Sequence, residues 1–138
     1  MTRTILAAID INDKTGAEKV ASQTGLLAHA TGATVHAITV VPDSGMAIVG
    51  AAFGPEHSKK IMQATNDEMS GFLSEHLPEA KLHVVQGSIY DSVIRTAEDL
   101  DADLIVIGSH RPELRDYLVG PNAAKVARHA KQSVMIVR

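Results

Sequence analysis

Five short apolar runs alternate with four segments of helical periodicity along this chain. The runs cover residues 4–9, 34–41, 81–86, 103–107 and 133–137. Three of them are nearly continuous in Val, Ile, Leu and Ala, a pattern typical of parallel strands that are covered on both faces. In the third run Lys81 and His83 alternate with apolar residues, so we place that strand at a sheet edge.

The segments between the runs repeat their apolar residues at helical spacing. Thr15 and Glu18 form a capping-box pattern that predicts the start of the first helix. The alternation of strand and helix predicts an α/β fold, a single doubly wound, five-stranded parallel sheet between two helical layers. We expect one domain over residues 1–138, with the strand order 3-2-1-4-5.

The carboxyl ends of the first and fourth strands are the expected place for a ligand. In parallel sheets, ligands bind beyond those ends, where the strand order reverses. If the first strand lies at the centre of the sheet, Asp10 and Gly108 form the floor of a crevice at this reversal. Gly120 and Asn122 open the last helix, and a glycine turn before a helix start presents backbone N–H groups to phosphate. The alternative interpretation makes Gly108 a left-handed turn residue, Gly120 a helix N-cap and Asp10 a turn or cap residue.

Composition narrows the classes of partner. Two Phe, two Tyr and no Trp leave few stacking surfaces for bases, and a formal net charge of -3 argues against nucleic-acid binding. No apolar stretch approaches the roughly 18 residues of a membrane span and no signal peptide is evident, so we expect a cytoplasmic protein without a membrane partner. The absence of cysteine excludes disulfides and thiolate chemistry.

Familiar catalytic and metal-binding motifs are missing from the sequence. The seven histidines are scattered without His-Glu-x-x-His spacing, so we expect no dedicated metal site. Gly45 and Gly50 imitate the start of a Walker A loop, but Ala51 and Ala52 replace the Lys and the Ser or Thr that it needs. Without a lysine for the phosphates or a base for water, we expect binding and no enzymatic activity.

The order of motifs in the last third of the chain resembles the universal stress protein family. The motifs are Gly108-Ser109-His110, then Gly120-x-Asn122-Ala-Ala, then Ser133-Val134-Met135-Ile136-Val137-Arg138. The resemblance begins at the opening Thr4-Ile5-Leu6-Ala7-Ala8-Ile9-Asp10 and covers the whole chain. Within the family, the chain is most similar to the branch with a Ser-His-Arg-Pro loop and a Gly-Ser-Asn-Ala-Ala helix start.

The resemblance implies a homodimer and, in many members, ATP bound by a Gly-x2-Gly-x9-Gly-Ser/Thr loop. Mg²⁺ is the ion that we expect to accompany the nucleotide. The expected nucleotide-binding residues are Ala8, Asp10, Val40, Gly108, His110, Arg111, Gly120, Pro121 and Asn122. The resemblance implies that Ala8 and Val40, with Asp10, line the adenine and ribose pocket. In the expected homodimer the C-terminal strand, Ser133 to Arg138, pairs with its symmetry mate.

Three departures from the family loop affect the expected phosphate cradle. Arg111 stands at the second glycine, the spacer from Arg111 to Gly120 has eight residues in place of nine, and Pro121 replaces the Ser or Thr. Each lost donor is worth about 1.5–3 kcal/mol to a charged acceptor. The guanidinium groups of Arg111 and Arg115 are candidates to offset that loss.

Three hypotheses therefore stand, the third of which is an enzyme with modest ATPase activity. In the first, the protein is a dimeric stress sensor or regulator that binds ATP or a related adenine nucleotide and changes its interaction with an unknown protein partner. In the second, it is a nucleotide-free interaction protein of the same fold. The apolar, glycine-rich connection from Pro42 to Pro55 is either a lid or partner surface, or a cover for the core.

Overall fold

Five parallel strands form one sheet in the computed structural model, which describes residues 2–42, 54–109 and 119–138. The strands are β1 (Thr4–Ala8), β2 (Thr34–Pro42), β3 (Lys81–Gly87), β4 (Leu104–Gly108) and β5 (Ser133–Val137). They lie in the order β3-β2-β1-β4-β5, so the predicted fold class and strand order are confirmed. The mixed strand β3 occupies one edge of the sheet, as predicted, and β5 occupies the other.

Helices cover both faces of this sheet. Those in the described residues are α1 (Lys14–Thr31), α2 (Pro55–His76), α3 (Ile89–Asp99) and α4 (Pro121–His129). Helices α1 and α2 pack on one face, in a core that includes Ile5 and Met69. Helices α3 and α4 pack on the other face, around Leu6 and Val93. Successive side chains of β1 enter opposite cores because a strand has a period of two, which explains its nearly unbroken apolar run.

The start of α1 differs from the predicted capping box. Asp13 is the N-cap in place of Thr15, and its carboxylate accepts a hydrogen bond from the Gly16 N–H at 3.1 Å. Glycine at position 16 leaves room for this carboxylate, because a Cβ there would collide with it. The helix ends at Gly32, whose φ of 74° lies in the left-handed region that favours glycine.

Strand β2 extends past the end of β1. Ala8, the last residue of β1, is level with Ile38, whereas β2 continues to Pro42, which pairs with Gly87 of β3. The last four residues of β2, 39–42, are called the overhang below. On the side where β1 lies, the overhang pairs with no strand of the described residues, because β1 has already ended.

The helices of the described residues are short or polar relative to a membrane span. None of them is both long enough and apolar enough to cross a bilayer.

Candidate functional site

The carboxyl ends of β1, β2 and β4 surround a cavity of about 480 Å³. Of the predicted site residues, those that line it are Ala8, Asp10, Val40, Gly108, Gly120, Pro121 and Asn122. The remaining two, His110 and Arg111, lie outside the described residues, as do Arg115 and most of the Pro42 to Pro55 connection. The structure thus brings together every predicted site residue that it describes.

Asp10 follows β1 and closes a turn at the floor of the cavity. Its Oδ1 accepts a hydrogen bond from the Asn12 N–H at 3.0 Å, and its carbonyl accepts one from the Asp13 N–H at 3.1 Å. Oδ2 has no partner among the described residues, and the side chain is exposed. Asp10 is therefore a turn residue that still offers one carboxylate oxygen to a ligand.

The backbone of Val40, in the overhang, faces the cavity. The Ile9 N–H donates to the Ile38 carbonyl at 2.9 Å, so the polar backbone groups of Ile38 face β1. Along a parallel strand these groups alternate between the two neighbours, and Val40 therefore turns its N–H and C=O to the same side as Ile38. Because β1 has ended at this level, neither group has a backbone partner in the described part of the chain. One donor and one acceptor are left side by side.

Thr39 is a cavity residue that the sequence analysis missed. Only 5% of its surface is exposed, and its hydroxyl makes no hydrogen bond within the described ranges. Since neighbouring strand residues point to opposite faces, Thr39 lies on the face that α1 and α2 cover. Thr65 and Glu68 of α2 line the same part of the cavity. The only available signal was a hydroxyl-bearing residue near the end of an apolar run, which is too common to identify a site.

The first turn of α4 forms the opposite end of the cavity. Gly120 is the N-cap in an extended conformation, and no side chain caps the helix. The first backbone hydrogen bond of the turn runs from the Ala124 N–H to the Gly120 carbonyl at 3.0 Å. Pro121 has no N–H, so Asn122 and Ala123 supply the N–H donors of this turn that have no partner within the helix. The positive end of the helix dipole coincides with these two N–H groups.

Gly108 is the last residue of β4 and lines the cavity. Its φ is outside the left-handed region, so the interpretation of Gly108 as a left-handed turn residue is wrong. A Cβ built on it would meet Val20 Cγ2 at 3.5 Å, an ordinary contact among the described residues. Neither the backbone conformation nor the described packing requires glycine here. Its lack of a side chain keeps this wall of the cavity accessible to a bound molecule.

The described lining of the cavity is acidic. Its ionisable residues are Asp10, Asp13 and Glu68, and it includes no Lys or Arg. The described residues also contain no group of three or more His, Cys, Asp or Glu side chains that could hold a metal ion. This part of the cavity therefore offers hydrogen-bonding groups and apolar walls, but no fixed positive charge besides a helix end.

Known proteins resemble this chain along its whole length. A model of the universal stress protein family matches residues 1–138. Universal stress protein G of Salmonella typhimurium is 33% identical over 143 residues, which cover 100% of both chains.

Two solved structures have the same fold. A universal stress protein from Archaeoglobus fulgidus in complex with dAMP has a TM-score of 0.70 and 20% identity, with 99% of this chain and 98% of that chain covered. A universal stress protein in complex with cAMP has a TM-score of 0.65 and 24% identity, with 99% and 97% covered. The family match over all residues and the full-length relative together show that this chain belongs to the universal stress protein family.

Proposed function

We propose that this protein binds an adenine nucleotide, ATP or a related one, in the cavity at the carboxyl end of its sheet. One observation carries the proposal. Polar groups of Asp10, Val40 and the first turn of α4 that have no partner in the described residues all face the same cavity. A few polar groups that converge on one cavity are typical of a ligand site, so a ligand that pairs with all three sets accounts for their arrangement.

Each set of groups suits one part of a nucleotide. The adjacent N–H and C=O of Val40 match the neighbouring acceptor and donor on the edge of adenine. In this proposal, Oδ2 of Asp10 accepts a hydrogen bond from a ribose hydroxyl. The N–H groups of Asn122 and Ala123 are donors for phosphate at a helix N-terminus. The adenine nucleotides held by the two solved relatives support this choice of ligand class.

We propose that nucleotide binding changes the interaction of this protein with a protein partner. The described lining holds no lysine for the phosphates, so catalysis of phosphoryl transfer lacks one of its usual parts there. Mg²⁺ would enter only with a nucleotide, through its phosphate oxygens. We place the protein in the cytoplasm, a setting with which its lack of cysteine agrees.

The proposed molecule is a homodimer joined through the C-terminal strand, Ser133 to Arg138. Strand β5 lies at the sheet edge, and no proline or inward charge in its Val134–Val137 stretch blocks pairing with another strand. Pairing with the same strand of a second copy across a two-fold axis would satisfy that edge.

Calorimetric titration of nucleotide into stripped protein tests the role of Asp10. Asp10→Ala removes both carboxylate oxygens, whereas Asp10→Asn keeps an oxygen for the turn with Asn12 and serves as the matched control. We expect Asp10→Ala to weaken binding about tenfold, the cost of a charged hydrogen bond, with unchanged folding. An affinity equal to that of the wild type would remove Asp10 from the site.

Substitutions at Pro121 distinguish the nucleotide-binding protein from the nucleotide-free alternative. Pro121→Ala restores only the missing N–H, and Pro121→Ser restores the N–H and a hydroxyl. If the α4 terminus holds phosphate, each added donor should tighten binding, by about tenfold for the first. If neither variant nor the wild type binds any adenine nucleotide, the nucleotide-free interaction protein becomes the better account.

A further inference from the structure

A pair of histidines lies on the sheet away from the cavity. His36 is the third residue of β2 and His83 the third residue of β3, so both lie near the beginning of their strands. The cavity is lined from the other end of β2, by residues 38–42. Val35 and Ala37, the neighbours of His36, enter the core under α1 and α2, so His36 lies on the face that α3 and α4 cover. The pair is therefore separate from the proposed nucleotide site.

Strand pairing brings the two rings together. His83 is level with Ile38, two residues beyond His36, and side chains two residues apart in a strand share a face. Nδ1 of His36 lies 2.9 Å from Nε2 of His83, and the ring centroids are 5.1 Å apart. Both residues are half-buried, so a small ion from solvent can reach them. They are 47 positions apart in the sequence, which explains why ligand spacing along the chain does not reveal the pair.

The spacing of the two nitrogens matches that of neighbouring ligands of one metal ion. Two nitrogens 2.9 Å apart, each about 2.1 Å from the same ion, subtend roughly 90° at that ion. Adjacent ligands form this angle in the tetragonal geometry that Cu²⁺ and Ni²⁺ prefer, whereas a tetrahedral ion such as Zn²⁺ needs about 109°. With the nitrogens already at this distance, ring rotation suffices to direct both lone pairs at one ion.

The protonation of the pair is compatible with metal binding near neutral pH. Imidazole binds a metal through a lone pair of its neutral ring. Burial is the main cause that lowers the pKa of His36, followed by the charges of His83 and Lys81, so His36 is neutral at pH 7. With the ring protons on Nε2 of His36 and Nδ1 of His83, the metal replaces the hydrogen bond without changing the charge of either ring. The Lys81 ammonium opposes a cation, but its residue is exposed and solvent screens the charge.

We infer that His36 and His83 form a binding site for one divalent transition-metal ion of the Cu²⁺ and Ni²⁺ class. The described residues bring no third His, Cys, Asp or Glu to the pair, so water fills the other coordination positions. Two protein ligands make an open site from which the ion exchanges with solvent. The bound ion ties the edge strand β3 to its neighbour β2.

Calorimetric titration of Ni²⁺ into the full, metal-stripped chain tests this site. We expect one saturable site in the wild type, weakened about tenfold in His36→Gln and in His83→Gln because each variant keeps a single imidazole ligand. His29→Gln, at an exposed position of α1, is the matched control and should bind like the wild type. Equal weakening in all three variants would assign the binding to scattered histidines and overturn the inference. Tighter binding of Zn²⁺ than of Ni²⁺, or no binding by the wild type, would overturn it too.

Thermal melts with and without Ni²⁺ give an independent reading. An ion that binds the folded pair and not the unfolded chain raises Tm. We expect Ni²⁺ to raise Tm in the wild type and in His29→Gln, and to leave it unchanged in His36→Gln and His83→Gln. An equal rise in all four proteins would place the ion elsewhere.

Electron paramagnetic resonance of Cu²⁺ added to the wild type needs no variant at all. We expect hyperfine splitting from two imidazole nitrogens, and a spectrum with one nitrogen or none would contradict the paired site.

Discussion

The carboxylate of Asp13 occupies the space that a side chain on Gly16 would need. Its Oδ1 accepts a hydrogen bond from the Gly16 N–H at 3.1 Å, and a Cβ on Gly16 would lie 2.8 Å from Asp13 Cγ. The glycine in the first turn of α1 is therefore packed against the N-cap of its own helix. Both residues line the cavity, so this capping interaction also shapes one of its walls.

A double-mutant cycle tests this packing. Alanine is ordinarily more favourable than glycine within a helix by about 1 kcal/mol, but we expect Gly16→Ala to give no gain because its methyl group displaces the cap. In the Asp13→Ala background the methyl group has room, and the same substitution should raise the free energy of unfolding by about 1 kcal/mol. Chemical denaturation of the four proteins measures both effects. The same effect of Gly16→Ala in both backgrounds would contradict the account.

Asp103 joins the start of β4 to the start of β1. Its Oδ2 accepts hydrogen bonds from the N–H groups of Arg3 and Thr4, at 2.8 and 2.9 Å. These bonds, that of Arg3 foremost, hold the pKa of the carboxyl below its ordinary value. Because the folded-state pKa is the lower one, the stabilisation is present above the unfolded-state value of about 4 and is lost as the pH falls through the folded-state value.

We therefore expect Asp103→Asn to melt at a lower temperature than the wild type at neutral pH, and to show a smaller loss of stability on acidification. Thermal melts from pH 7 downward measure both effects. Asp101→Asn is the control, because Asp101 is a nearby exposed carboxylate without these backbone hydrogen bonds. If Asp103→Asn and the wild type lose stability in parallel, the carboxylate does not contribute as described.

His36 of β2 and His83 of β3 form a pair on the sheet. Nδ1 of His36 lies 2.9 Å from Nε2 of His83, and a hydrogen bond between two imidazoles requires at least one of them to be neutral. Burial is the main cause that lowers the pKa of His36, followed by the charges of His83 and Lys81. The unfolded chain therefore takes up this proton more readily than the folded one, so stability is complete above about pH 6.5 and falls below it.

Replacement of His36 should reduce this pH dependence. We expect the free energy of unfolding of the wild type to fall as the pH drops from about 6.5 through the folded-state pKa, and His36→Gln to show a smaller fall. His29→Gln, at an exposed position of α1, controls for the loss of a histidine elsewhere. Urea denaturation at a series of pH values provides the measurement. If the free energy of unfolding of His36→Gln falls with pH as much as that of the wild type, groups other than His36 cause the fall.

Ile136 turns its backbone N–H away from the sheet. The carbonyl of its neighbour Val137 accepts a hydrogen bond from the Ser109 N–H at 2.9 Å, so the polar groups of Val137 face β4. By the alternation of a parallel strand, those of Ile136 face outward, where the proposed homodimer would pair with them. Ile136→Pro and Ile136→Ala both lose the isoleucine side chain, but only the proline variant loses the outward N–H.

We expect Ile136→Pro to be monomeric at concentrations at which Ile136→Ala is still dimeric. Sedimentation velocity over a range of protein concentrations measures the difference. Dimers of equal strength in the two variants would exclude pairing through this strand edge.

Much of the fold follows from the pattern of apolar residues. The continuous runs of β1 and β4 predict strands covered on both faces, and the alternation at Lys81 and His83 predicts the edge position of β3, as observed. The cap of α1 could not be predicted in this way. Thr15 has the capping-box spacing, but the cap depends on room beside a residue without a Cβ, and Gly16 gives that room to Asp13.

The site is predictable only in part. Asp10 and Gly108 follow strand ends, which a sequence pattern can locate. The backbone groups of Val40 that lack a partner in the described ranges depend on how far β2 extends past β1 and on which residues turn toward β1. Both are properties of strand register that the sequence pattern does not contain. The same register brings Thr39 to the cavity, a position that its residue type alone does not suggest.

Backbone amide signals report nucleotide binding at the proposed site residue by residue. The measurement is a two-dimensional NMR titration of isotope-labelled, stripped protein with AMP and, in a second sample, with Mg-ATP. We predict saturable shifts of the amides of Val40, Asn122 and Ala123, with little change at Thr34 and Asp103 at the other end of the sheet. The absence of saturable shifts at Val40 and Asn122 with both ligands would contradict adenine-nucleotide binding in this cavity.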